Sequence, residues 1–175
     1  MKTLILTLTL LASISFAGSA PTNTPDNVQV YFSPNGGCTE AIVGELNKAK
    51  AEILVQAYSF TSKEIAKALT DAHKRGVKVQ VMLDKSNLTE KYSAADFVAH
   101  AGIPLLIDSE HAIAHNKVMV IDGETVITGS FNFTKAAEEH NAENLLILHD
   151  KPLASKYGSN WRDHATHSTP YTARQ

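Results

Sequence analysis

The sequence predicts an α/β fold, a mixed β-sheet flanked by helices on both faces. Three observations predict it. Short apolar runs of strand length alternate with segments whose apolar residues recur at helical spacing. The runs are apolar at consecutive positions, as in a sheet buried on both sides. Asp122-Gly123 lies between two such runs, a strong hairpin signal, so part of the sheet is antiparallel.

The elements follow in order. Val28 to Phe32 reads as a strand ended by Ser33-Pro34-Asn35-Gly36-Gly37. Thr39 to Lys50 places Ile42, Leu46 and Ala49 on one helical face. Ile53 to Tyr58 reads as a buried strand. Ser62 is a helix N-cap, with Ile65, Ala66, Leu69 and Ala72 along one face and Gly76 as the stop. Val77, Val79 and Val81 begin the next strand. Ala94 to His100 is a short helix ended by Gly102, and Pro104 to Asp108 a further strand. Val118 to Ile121 and Thr125 to Thr128 form the hairpin. Lys135 to Asn141 is helical, Leu145 to Leu148 a strand, and Pro152 to about Thr166 a final helix.

The first 20 residues read as an address. Lys2 precedes an uncharged run from Thr3 to Phe16, and Ala17-Gly18-Ser19-Ala20 follows, which is the pattern of a secretory signal peptide. The run is shorter than a membrane span and is interrupted by Thr and Ser. Residues 21–27 read as a linker and residues 28–175 as a single catalytic domain. The expected location is periplasmic or secreted, with no stable membrane insertion after cleavage.

Of 175 residues, 43% are hydrophobic and 19% charged, a globular composition. The formal charge is −2, and losing Lys2 leaves 15 Lys+Arg against 18 Asp+Glu. That balance excludes a broadly basic surface, not a local one. Seven Lys+Arg (63, 67, 74, 75, 78, 85, 91) against four acids fall between Lys63 and Lys91. One cysteine, Cys38, excludes an intrachain disulfide framework and a cysteine-rich zinc site. Its place after Gly36-Gly37 suggests a half-buried thiol in a loop.

One stretch carries chemistry. If His115 to Asp122 is a strand, His115 and Lys117 share a face while Val118 and Val120 take the other. Asp122 falls on the opposite parity at the hairpin, so it supports the site instead of touching substrate. Ser130 and Asn132 share one side at the end of the next strand, and both can donate hydrogen bonds. Glu143 follows, a carboxylate that could bind the His115 ring and fix its tautomer. Together these residues suit a tetrahedral anion: Lys117 and Asn132 neutralise its oxygens, and His115 attacks phosphorus or moves a proton. No second carboxylate pair lies close in sequence, so a two-metal centre is not indicated and no metal or other cofactor is expected.

His115 to Asp122 has the H-x-K-x4-D pattern of the phospholipase D superfamily, and Gly129-Ser130-Phe131-Asn132 resembles its G-S-x-N signature, seven residues on from Asp122. Glu143 falls where the family often has a downstream acid. The order of strands and helices over residues 28–165 is similar to one phospholipase D-type unit. The resemblance implies a phosphodiesterase in which one His attacks phosphorus to form a phosphohistidine. A second His, from a second copy of the motif, protonates the leaving oxygen and then activates water. Here the motif occurs once. The simplest completion is a homodimer with a shared active site on its twofold axis. The expected substrate is nucleic acid, DNA with RNA also open, cut with little sequence preference. The runner-up is a phospholipid such as cardiolipin, and a third reading is a binding module without turnover.

The other histidines carry lesser expectations. His73 and His100 read as solvent-facing, His140 and His149 as alternative general acids, and His111 as a further substrate contact. His164 and His167, three residues apart, could hold a metal, but the sequence shows no third ligand.

Overall fold

The computed structural model describes residues 25–174. The expected signal, residues 1–20, and most of the linker lie outside them. The described elements are β1 (Val28–Ser33), α1 (Cys38–Lys48), β2 (Glu52–Ala57), α2 (Lys63–Lys74), β3 (Lys78–Asp84), α3 (Ala95–His100), β4 (Leu105–Asp108), β5 (Lys117–Ile121), β6 (Thr125–Gly129), α4 (Lys135–Glu139), β7 (Glu143–His149), α5 (Lys151–Ala165) and β8 (Thr169–Pro170). They form one eight-stranded sheet in the order β1-β7-β6-β5-β2-β3-β4-β8. Among the described residues no helix is long and apolar enough to cross a membrane.

The sheet is mixed, as the hairpin requires. β2, β3 and β4 run parallel, joined through α2 and α3, whereas β5, β6, β7 and β1 pair antiparallel. The two halves meet where β5 pairs antiparallel with β2, Ala57 opposite Lys117 and Ile53 opposite Ile121. Alternation along the strands divides the core. Ile53, Val55, Val81 and Met119 pack under α1, α2 and α3 on one face. Leu54, Met82, Val118 and Val120 pack under α5 on the other. Trp161 fixes α5 by donating its indole N–H to the Val55 carbonyl of β2 (2.8 Å). Its ring thereby buries a large apolar area without leaving a polar atom unpaired.

The helix starts follow from the sequence. Ser62 caps α2 by accepting from Ile65 N, and Asp150 caps α5 by accepting from Leu153 N. At α1 no side chain of the capping residue serves. There Glu138 of α4 reaches across, accepting from Gly37 N (3.1 Å) and Thr39 N (2.7 Å) at the positive end of the helix.

Three details differ from the sequence reading. Cys38 is the first residue of α1, not a loop residue, and is fully buried. Burial, reinforced by the Glu138 carboxylate, pushes its thiol up to about 11, so it is an inert core group. His73 is not solvent-facing: its Nδ1 is buried and unpartnered. The two-residue β8 and a 3₁₀ turn over Lys85–Leu88 are additional elements, too short for any periodicity to reveal.

Asp122 shows how the hairpin is tied to the rest. With φ 53° at Asp122 and 65° at Gly123, the turn has the left-handed pair that Asp-Gly favours. The Asp122 carboxylate accepts from the backbone N–H groups of Lys50 (2.9 Å), Ala51 (2.8 Å) and Glu52 (2.9 Å). Burial opposes its ionisation, but these three N–H groups outweigh burial and hold its pKa below the ordinary carboxylate range. The ionised form is therefore the stabilising one: its contribution is complete above the unfolded carboxylate pKa and drains as pH falls through the lowered folded value. Asp122→Ala is expected to cost about 2–3 kcal/mol and to flatten the acid limb of the stability curve. Urea denaturation of both proteins across the acid range measures both effects.

Candidate active site

The site lies at the end of the β5–β6 hairpin opposite the Asp122 turn. Three ties fix its backbone. Tyr58 N donates to the Asn116 carbonyl (2.8 Å). The buried Asp84 carboxylate accepts from Ala114 N (2.8 Å), next to His115, and from Ser86 N (2.8 Å). Lys85 Nζ donates to the His111 carbonyl (2.9 Å). The segment leading into β5 is thus held from β2, β3 and the turn after β3.

His115 and Lys117 differ in environment. His115 is exposed, its ring centroid 4.7 Å from that of Tyr58. Lys117 is 6% exposed; its Nζ donates to the His115 carbonyl (2.7 Å) and lies 5.0 Å from the Tyr58 ring centroid. The same aromatic ring therefore supports both side chains. Burial pushes the Lys117 ammonium pKa down, while the nearby Glu143 carboxylate opposes that shift.

Carrying the β5–β6 register two residues on from Met119–Ile127 sets Gly129 opposite Lys117. Phe131 is fully buried, and Ser130 and Asn132 on either side of it are half-buried. Ser130 Oγ accepts from Asn144 N (3.1 Å) and Asn144 Nδ2 (3.2 Å), which leaves its hydroxyl hydrogen available to an incoming oxygen. Asn132 Oδ1 is buried and without a partner. Gly129 allows this arrangement: its φ is +145°, and a Cβ there would lie 2.3 Å from the Asn144 carbonyl oxygen.

Glu143 and His111 have hydrogen-bond partners other than those expected. Among the described residues the Glu143 carboxylate takes its hydrogen bond from Asn141 Nδ2 (3.2 Å), not from the His115 ring. β7 pairs with β1 here, Glu143 opposite Ser33, so the carboxylate acts on the Lys117 side of the site as a nearby negative charge. His111, expected as a further substrate contact, has its Nδ1 on the buried Asp108 carboxylate at 3.1 Å. Of the alternative acids, His149 is opposite Thr125 at the hairpin-turn end of β7, far from His115, and its Nδ1 contacts Thr125 Oγ1. His140 is exposed beside Glu139. Among the described residues the Asp122 carboxylate hydrogen-bonds the Lys50, Ala51 and Glu52 backbone. Tyr58, Asp84 and Asn144 were not legible as site residues, because each reaches the site through strand pairing or a loop tie that no local spacing encodes.

This geometry joins an exposed imidazole, a buried ammonium and two amide or hydroxyl groups on one strand-end platform. Residues 42–164 match the family described as "Cardiolipin synthase, PLD-like domain". A protein called phospholipase D from Rickettsia typhi is 47% identical over 143 residues, 82% of this chain and 70% of that one. The chain belongs to the phospholipase D superfamily. It is accordingly an enzyme that hydrolyses phosphodiester bonds. Its fold superposes on a phospholipase D family member, Nuc from Salmonella typhimurium, with TM-score 0.78 and 42% identity, covering 82% of this chain and 97% of that one. NucT from Helicobacter pylori shares the fold at TM-score 0.77 and 24% identity, over 82% and 98% of the two chains.

A buried ammonium that meets a phosphate oxygen has little water to compete with. Lys117→Met is expected to lower phosphodiesterase kcat by about 10²–10³-fold while the melting temperature stays level or rises, because a costly buried charge is removed. Gly129→Ala is expected to lower both: it displaces Asn144 and with it Ser130. Steady-state kinetics alongside thermal melts separates the two cases.

Proposed function

We infer that the protein is an exported, metal-independent endonuclease that hydrolyses DNA, with RNA also open, through a covalent phosphohistidine on His115 at a homodimer interface. The observation that carries this reading is the single exposed His115 beside the buried Lys117, on a unit that Nuc matches over 97% of its own length. One His supplies the nucleophile. A twofold-related copy brings the second, which protonates the leaving oxygen and then activates water.

Two surface features support it. Phe32 (66% exposed), opposite Asn144 on the edge strand β1, and Ile113 (55% exposed), two residues before His115, border the site with apolar surface suited to a second copy. A groove of about 640 Å³ between α2 and α3 carries Lys63, Lys67 and Lys74 with Tyr92 and Phe97. Its residue Thr61 donates its N–H to the carbonyl of Phe133 (3.0 Å), the residue after Asn132, which ties the groove to the site. Lysines beside exposed rings suit the phosphates and bases of a nucleic-acid strand.

A second reading, a lipid phosphodiesterase, is favoured by the name phospholipase D on the 47% identical relative. An assay with plasmid DNA and cardiolipin vesicles side by side, in EDTA, distinguishes the two. DNA cleavage without added metal is expected, weakening with salt. Strict dependence on Mg²⁺ or Ca²⁺ overturns the metal-independent mechanism, and a lipid rate far above the DNA rate establishes the second reading. Sedimentation of the active enzyme is expected to give a dimer. A strictly monomeric active species overturns the shared site.

A further inference from the structure

Four side chains from separate parts of the chain converge at the end of β4. Asp108 closes β4, His111 follows on the next loop, His164 lies in the last turn of α5, and His167 comes just after that helix. Their ligand atoms all lie within 4.8 Å of one another. The Asp108 side chain is wholly buried. Its Oδ2 is 2.8 Å from His164 Nδ1, 3.1 Å from His111 Nδ1 and 3.6 Å from His167 Nε2. The rings crowd together, with centroids 4.8 Å apart for His111–His164 and 5.3 Å for each of the other pairs.

Hydrogen bonding accounts for the contacts of His111 and His164 with Asp108 but not for the place of His167. The His111 ring is shared between both Asp108 oxygens, 3.2 Å from Oδ1 and 3.1 Å from Oδ2, and His164 bonds Oδ2. His167 then approaches the same oxygen at 3.6 Å, too far for a hydrogen bond. As metal ligands, by contrast, all four groups have a use. Bonds of about 2.0–2.1 Å in a tetrahedral zinc site put neighbouring donor atoms about 3.3 Å apart, and the three Asp108–His distances bracket that value. Three imidazole nitrogens and one carboxylate oxygen suit zinc and its transition-metal neighbours, not magnesium or calcium.

We propose that Asp108, His111, His164 and His167 bind one zinc-class divalent ion. With four protein ligands the coordination is closed, so the ion is structural and takes no part in phosphoryl chemistry. It ties the end of α5 and the 109–116 loop to the buried end of β4. His111 is four residues before His115, so the ion also braces the segment that presents the nucleophile.

The test uses binding and stability, not activity. Protein stripped with EDTA and returned to chelator-free buffer is titrated with zinc chloride by calorimetry and melted with and without zinc. Uptake of one ion per chain and a rise of several degrees in melting temperature are expected. Co²⁺ in place of zinc is expected to give the strong visible absorption of a tetrahedral site. The double variant His164→Gln/His167→Gln should lose the stoichiometric uptake, the thermal shift and the cobalt spectrum. The single variant His167→Gln, at an exposed position that leaves the fold intact, should lose the tetrahedral cobalt spectrum. A control His140→Gln/His149→Gln should keep all three. Absence of stoichiometric uptake by the wild type, or uptake unchanged in the His164→Gln/His167→Gln and His167→Gln variants, overturns the proposal.

Discussion

The pairing of β2 with β5 is the constraint on which the rest depends. It is the seam between the parallel and antiparallel halves of the sheet. It is fastened at both ends, by the Asp122 carboxylate on the Lys50–Glu52 backbone and by Tyr58 N on the Asn116 carbonyl. A slip of one residue would send Lys117 to the face under α5 and Val118 into the site. Fastening the register from outside the strand, with an ionised carboxylate on three N–H groups, is stronger than leaving it to hydrophobic alternation alone. The five residues of β5 are buried on both faces, so alternation by itself distinguishes its two registers weakly.

Given that register, the chemistry follows from unequal burial. Lys117 is desolvated, held to the His115 carbonyl and packed by Tyr58, so its ammonium has little freedom left to lose when a phosphate arrives. His115 stays at the surface, open to solvent. Asn132 Oδ1, buried without a partner, and the buried ammonium are local costs in the folded state. Such costs are expected where a site is arranged for a charged ligand instead of for itself.

The fold was legible in the sequence because each element carries a local signature. Ser62 and Gly76 delimit α2, Asp122-Gly123 makes the hairpin, and consecutive apolar runs mark the buried strands. The spacing from His115 to Asn132 was legible for the same reason, since it lies on two strands joined by one tight turn. What was not legible depends on contacts between distant segments. Glu143 was expected on the His115 ring, but pairing with β1 sets it beside Ser33 and Asn141. The neighbours of His164 and His167 include Asp108, 56 residues before His164, and His111, which lies on the loop after β4, so spacing along one helix could not supply them. Tyr58 reaches the site because it directly follows β2, the neighbour of β5, a fact of topology.

The same long-range contacts explain how the chain holds together without a covalent cross-link. Its one thiol is buried and inert. The carboxyl-terminal third must therefore be fixed to the sheet by other means. Trp161 anchors the middle of α5 on β2, and Asp96 holds the last described residues, accepting from the Tyr171 hydroxyl and from Arg174. The Tyr171 hydroxyl first, with Arg174 beside it, holds the Asp96 carboxyl down at about 2, so that tie persists well into the acid range. Between these two anchors lies the junction of Asp108 with the end of α5. An ion there would close the loop from β4 to α5, and closing a long loop is the way a disulfide stabilises an exported domain. Four side chains that can be filled or emptied would do so reversibly, beside the segment that carries His115 and without entering its chemistry.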